Sequence, residues 1–159
     1  MSLGKVMQMY KQMEKLPFGK TLFSYMFSFQ APYFLNIRPI VNDIKHGHAS
    51  VTMKQRWAVQ NHIQTVHAIA VCNLVEMSMG LVAEASIPAH LRWLPMGMDV
   101  TYKKKAMGTL TASSTIPDTF FNLDKYPGMV KVPVSVINAD GVEVTYADVR
   151  LWISEKPKK

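Results

Sequence analysis

The stretch Asn61-His62-Ile63-Gln64-Thr65-Val66-His67-Ala68-Ile69-Ala70-Val71-Cys72-Asn73-Leu74-Val75-Glu76 decides how the chain is read. It begins polar and then runs into a long apolar segment, Val66 to about Ala85, with Leu74, Val75, Met77, Met79, Leu81 and Val82 on it. The segment is apolar almost all round, so the expectation is one long helix surrounded by protein. It has the length of a membrane span, but it carries Asn73, Glu76 and Glu84, and acids are costly in lipid. No transmembrane segment is expected.

Strand patterns flank this helix. Before it, Ile37, Pro39 and Val41, then Ala49, Val51 and Met53, alternate with polar residues around a His46-Gly47-His48 turn. After it, strands are expected at about 90–105, 108–117, 129–138 and 142–154. Gly108 marks the turn of the earlier pair and Ala139-Asp140-Gly141 the turn of the later one. Upstream, Leu3, Val6, Met7, Tyr10 and Met13 stand at helical spacing. Pro17 opens a second helix to about Gln30, and Pro32 ends it. A helix apolar on every side needs a curved antiparallel sheet around it, so the class is α+β. The expected organisation is an N-terminal helical cap over 1–33 and one sheet-and-helix domain over 34–159.

Composition narrows the function. The 159 residues are 48% hydrophobic and 18% charged, with mean hydropathy near zero, the profile of a chain with a real core. The formal charge is +7, concentrated in Lys103-Lys104-Lys105 and in a lysine-rich C-terminus. Such a surplus favours anionic partners. The aromatic-basic interleaving of common RNA-binding motifs is missing, so nucleic acid is not an expected partner. A single cysteine, Cys72, excludes an internal disulfide and a cysteine zinc site, and is expected to pack as a small hydrophobe. His46 and His48 lack a third ligand nearby, so no metal is expected. No secretory signal is read at the N-terminus, and a cytoplasmic location follows.

Two features carry chemistry. Glu76 sits in the middle of the apolar helix, where a carboxylate held in a cleft can act as general base or nucleophile. The alternative is a glutamate that reaches the surface or pairs with a cation. The helix start presents unpaired N–H groups and the positive end of the dipole, which suit a developing oxyanion. It can equally be a capping segment, with Thr65 or His67 at the N-cap.

Asn61, His67 six residues on and Glu76 nine further resemble the hotdog-fold acyl-CoA thioesterases, most closely the phenylacetate-pathway type. There an Asn precedes a His-Gly-Gly turn and an acid follows at the same separations. The run from Val100 to Ala112, with Tyr102 and Gly108, resembles the strand-turn-strand of that family. The two glycines are replaced here by Ala68 and Ile69, which places the chain in an uncharacterised branch.

The resemblance implies a hotdog fold over about 34–155 and a homodimer with shared sites, with further pairing into a tetramer left open. It also implies acyl-CoA as substrate and no cofactor. Glu76 would be base or nucleophile and the Ala68 N–H would polarise the thioester carbonyl. Asn61 would orient water or carbonyl, and His67 would hold the turn or bond the substrate. Tyr102, Lys103, Lys105 and Asn73 are the expected substrate contacts. On a strand, Lys103 and Lys105 would face one side and Lys104 the other. The alternative on the same fold is an acyl-CoA or fatty-acid binding module without turnover. Hydration or dehydration of acyl thioesters ranks lower, because its acid and histidine sit differently.

Overall fold

The computed structural model describes residues 5–157. Two helices lead, α1 (Lys5–Met13) and α2 (Gly19–Gln30). A 3-10 segment, Pro32–Ile37, precedes the hairpin of β1 (Ile40–Lys45) and β2 (His48–Lys54). A 3-10 turn, Trp57–Val59, leads to α3 (Ala68–Ser86). The strands β3 (Leu91–Tyr102), β4 (Thr109–Thr115), β5 (Gly128–Asn138) and β6 (Glu143–Glu155) complete the chain. All six strands form one antiparallel sheet, ordered β1-β2-β4-β5-β6-β3. The sheet wraps α3, which is the hotdog fold expected from the sequence.

Period-two alternation selects the inner face. Ala49, Val51 and Met53 of β2, Leu110 and Ala112 of β4, and Val132, Val134 and Val136 of β5 are all buried. They meet Leu74, Val75, Met77, Met79, Leu81 and Val82 of α3. Each such side chain contributes about 1.5–3 kcal/mol by leaving water. On β1, β2 and β4 the outer face is polar and cross-linked. Asn42 Nδ2 donates to Thr52 Oγ1 (2.6 Å), and the Thr52 and Thr111 hydroxyls lie 3.0 Å apart. By length and composition α3 could span a membrane, yet 67% of its apolar window is buried inside the fold.

The leading helices share this core. Met7, Tyr10 and Phe23 are buried in it. A bulge in β1, between Val41 and Asp43, turns the Asn42 carbonyl outward, where it accepts from the Tyr10 hydroxyl and Lys20 Nζ, each at 2.6 Å. The Val41 N–H donates to Ser24 Oγ (2.8 Å), fastening α2 to the edge strand.

Four expectations are corrected. The first strand starts at Ile40, because Pro32 opens a 3-10 segment that carries Ile37 and closes on a left-handed Arg38 (φ 47°). The second helix starts at Gly19 rather than Pro17, after Phe18 in the left-handed region (φ 58°). The flanks of Gly108 are not a hairpin pair: β3 pairs with β6 at one edge, and β4 lies between β2 and β5. Gly108 does adopt the positive φ (72°) that a turn there requires. Finally, α3 is not covered on every side of one chain. Ile69 and Glu76 are exposed, and Cys72 between them is partly so. At i, i+3 and i+7 these three form one stripe.

Candidate functional site

The start of α3 is held by three anchors. The Val66 N–H donates to the Ala106 carbonyl and the His67 N–H to the Val59 carbonyl, both at 2.8 Å. Asn61 ties the loop before them. Its Oδ1 accepts from the Ile63 and Thr65 N–H groups (3.1 Å each), and its Nδ2 donates to Thr65 Oγ1 (2.8 Å). The Asn61 amide is thus engaged within its own turn.

His67 is the N-cap, in extended geometry (φ −61°, ψ 138°). Its Nδ1 accepts from the Ile69 N–H at 3.1 Å. An accepting Nδ1 is unprotonated, so the neutral ring carries its proton on Nε2. Of the roles expected for His67, the structure displays the turn-holding one. Capping takes up the Ile69 donor and leaves the Ala68 N–H with no partner among the described residues. Ala68 is only partly buried, and its N–H stands at the positive end of a nineteen-residue helix.

Tyr102 reaches the same place from the end of β3. Its hydroxyl lies 3.1 Å from Cys72 Sγ and 3.5 Å from the Ala68 carbonyl. Burial, then the hydrogen bond to Cys72, push the phenol up to about 12, so it stays a neutral hydroxyl. Cys72 is therefore not a packed hydrophobe. It is half-open to solvent and partnered by a tyrosine.

Asn73 is buried, and its Nδ2 donates to the Tyr33 carbonyl at 3.2 Å. Its Oδ1 has no partner among the described residues. Asn73, His67 and Ile69 line a cavity of about 560 Å³, closed on the other side by Arg38, Arg56 and Gln60.

Glu76 occupies a different cavity. It borders a space of about 410 Å³ with Phe27, Phe34, Met77, Glu84 and Trp93. Trp93 Nε1 donates to Glu84 Oε1 (2.9 Å), fixing that second carboxylate. Glu76 itself is exposed and makes no hydrogen bond or ion pair among the described residues. The surface glutamate weighed in the sequence is what one chain displays. Eight residues separate Ala68 from Glu76, which along a helix is about 12 Å. One chain does not bring them to one carbonyl.

The lysine block is also placed differently from the expectation. β3 ends at Tyr102, so Lys103, Lys104 and Lys105 follow the strand instead of alternating along it. Lys103 is paired with Glu143 and lies 5.3 Å from the Tyr146 ring centre. That pair, with help from Ser135 Oγ, holds the Glu143 carboxyl below its usual range. Lys104 and Lys105 are exposed.

The sequence reading missed Arg38, Arg56 and the Trp93–Glu84 pair. The signal for Arg38 was weak but present: it directly precedes Pro39 at the start of the first alternating run.

Comparison with known proteins bears on the fold. A structural-genomics protein, APC5556, superimposes with a TM-score of 0.81 at 36% identity, covering 95% of this chain and 99% of its own. PA5026 of Pseudomonas aeruginosa, a protein of unknown function described as "Probable Thioesterase", gives 0.77 at 13% identity over 89% of this chain and 97% of its own. SAV0944 of Staphylococcus aureus, a thioesterase enzyme, gives 0.66 at 15% over 77% and 98%. Its solved forms include alanine variants of a glutamine and of a glutamate fifteen positions later. No curated protein matches the sequence. The family profile described as a domain of unknown function, DUF4442, matches residues 19–153. The chain therefore belongs to the DUF4442 family and has the thioesterase-like hotdog fold.

Proposed function

We propose that this protein is an acyl-CoA thioesterase acting as a homodimer in the cytoplasm, with residues 1–33 as a cap on a hotdog domain over 34–159. The observation that carries the reading is the unpartnered Ala68 N–H at the start of α3, with Glu76 presented two turns along the same exposed stripe. Thioester hydrolysis needs both a donor for the oxyanion and a carboxylate. The same fifteen-residue separation stands between Asn61 and Glu76 and between the two positions altered in the S. aureus thioesterase, which supports the assignment.

In this reading the thioester carbonyl oxygen meets the Ala68 N–H of one protomer. Glu76 of the other protomer takes a proton from water as the water attacks and passes it to the departing sulfur, or attacks the carbonyl itself to form an acyl anhydride that water then hydrolyses, restoring the carboxylate. The C–S bond breaks, coenzyme A leaves as the thiol, and the free acid remains. His67 keeps the helix start rigid, Asn61 sets the loop, and Tyr102 and Asn73 border the substrate. Lys105 adds positive charge near the coenzyme A phosphates, while Lys103 is held by Glu143.

Two protomers are required because the two groups are about 12 Å apart in one. The stripe of Ile69, Cys72 and Glu76, and the edge strand β3 with exposed Leu94 and Met96, are the surfaces a second copy would cover. The test is hydrolysis across a panel of acyl-CoA chain lengths. Turnover is expected for part of the panel, and Glu76→Gln should lower it by about 10²–10⁴-fold. Full activity in Glu76→Gln would remove that residue from the mechanism.

A second reading, acyl-CoA or fatty-acid binding without turnover, is favoured by one observation. Ile69 is 56% exposed at the helix start, where a bulky side chain crowds an approaching thioester. Tight long-chain acyl-CoA binding with no hydrolysis anywhere in the panel would select it.

A further inference from the structure

The cavity at the start of α3 has an unusual wall. Arg38 and Arg56 line it, with His67, Gln60 and Asn73, and its described lining includes no carboxylate. Neither arginine has an acidic partner among the described residues. The Arg56 guanidinium donates to the Asn36 carbonyl, which orients it but leaves its charge uncompensated. Two residues of this lining each carry a buried polar atom with no partner among the described residues: the donor Arg56 Nε and the acceptor Asn73 Oδ1. Asn73 is 95% buried, and an orphan atom on so enclosed a side chain calls for an explanation. Arg38 moreover holds a left-handed backbone (φ 47°), a conformation that L-residues adopt at a cost and that gathers at functional sites.

We infer that this cavity is an anion-binding site for an organic phosphate. Arg38 and Arg56 clamp the phosphate as charge-assisted donors, and Asn73 Oδ1 accepts an N–H or O–H from the same ligand. Both orphan atoms are shut from solvent, so a ligand reaches them through side-chain rotation. The inference rests on the proposed function for its probe: coenzyme A combines phosphates with an arm of two amide N–H groups. It adds to Lys105 a phosphate clamp made by residues just before β1 and just after β2.

Calorimetric titration with coenzyme A, and with uncharged pantetheine, tests it. Arg38→Gln and Arg56→Gln should each weaken coenzyme A binding by about tenfold or more. They should leave pantetheine unaffected and flatten the salt dependence of coenzyme A affinity. Lys131→Gln, on an exposed position of β5, should change nothing. Arg38 is exposed, so its variant keeps the fold; Arg56→Lys retains charge and should recover part of the loss. Wild-type coenzyme A affinity in both glutamine variants, with acyl-CoA hydrolysis intact, would overturn this site and leave the hydrolase reading standing. Neither binding nor hydrolysis in the wild type would overturn both. A loss confined to Arg56→Gln and matched by lower thermal stability would reduce that arginine to a brace for Asn36 and overturn the clamp.

Discussion

The first turns of α3 and its middle differ in nearly every physical respect. The first turns carry apolar side chains, but they are capped by His67 and face a cavity walled by two arginines. The middle faces an apolar cavity bordered by Phe27, Phe34 and Trp93, and carries the carboxylates Glu76 and Glu84. One end offers donors and positive potential, the other an acid beside hydrophobic walls. A thioester with a phosphorylated head and an apolar tail needs both environments. A single straight helix holds them about 12 Å apart, so the proposed hydrolysis divides its labour between two chains.

The comparison can be broken most severely at the donor end. Ala68→Pro deletes one N–H and little else, because proline is favoured at the first helical position. His67 already has the extended backbone that a residue before proline adopts. Hydrolysis should fall about 10²–10³-fold while the melting curve holds. Unchanged turnover would show that the free donor has no role.

A smaller effect separates capping from chemistry. His67→Ala removes the acceptor for the Ile69 N–H and should cost about 1 kcal/mol. For a chain of this size that lowers the melting temperature by about 2–4 °C. Its loss of turnover should be well below that of Ala68→Pro; an equal loss would make His67 a substrate contact.

The smallest effect lies away from both cavities. The folded Glu143 carboxyl is held below its usual range, first by the hydrogen bond from Lys103. Its contribution is therefore present above the unfolded-state value and lost as pH falls through the folded one. Glu143→Gln should flatten the acid limb of thermal stability and leave coenzyme A affinity alone, the latter read by titration. A changed coenzyme A affinity in this variant would mean that Lys103, too, serves the ligand.

Much of this was legible in the sequence, for local reasons. Alternation in β2, β4, β5 and β6 and the apolar run of α3 are short-range patterns, and they define the sheet and its central helix. The Asn61, His67 and Glu76 spacing is also local, and it located the start of α3 correctly. What was not legible depends on distant partners. Glu76 reads as buried from its neighbours in the chain, but its exposure depends on where α1, α2 and β3 stop covering α3. Lys103 is forty residues from the Glu143 that engages it, and Cys72 is thirty from Tyr102. Arg38 and Arg56 meet Asn73 only because two 3-10 turns fold against the helix start.

The central claim is that one active site draws its donor from one protomer and its carboxylate from another. Mixing subunits tests it most directly. Ala68→Pro and Glu76→Gln, each nearly inactive alone, are co-refolded and the mixed dimers isolated by two tags. The account predicts recovered acyl-CoA hydrolysis in the mixed dimer, because one of its two sites keeps both groups intact. Mixed dimers as inactive as either parent would contradict it.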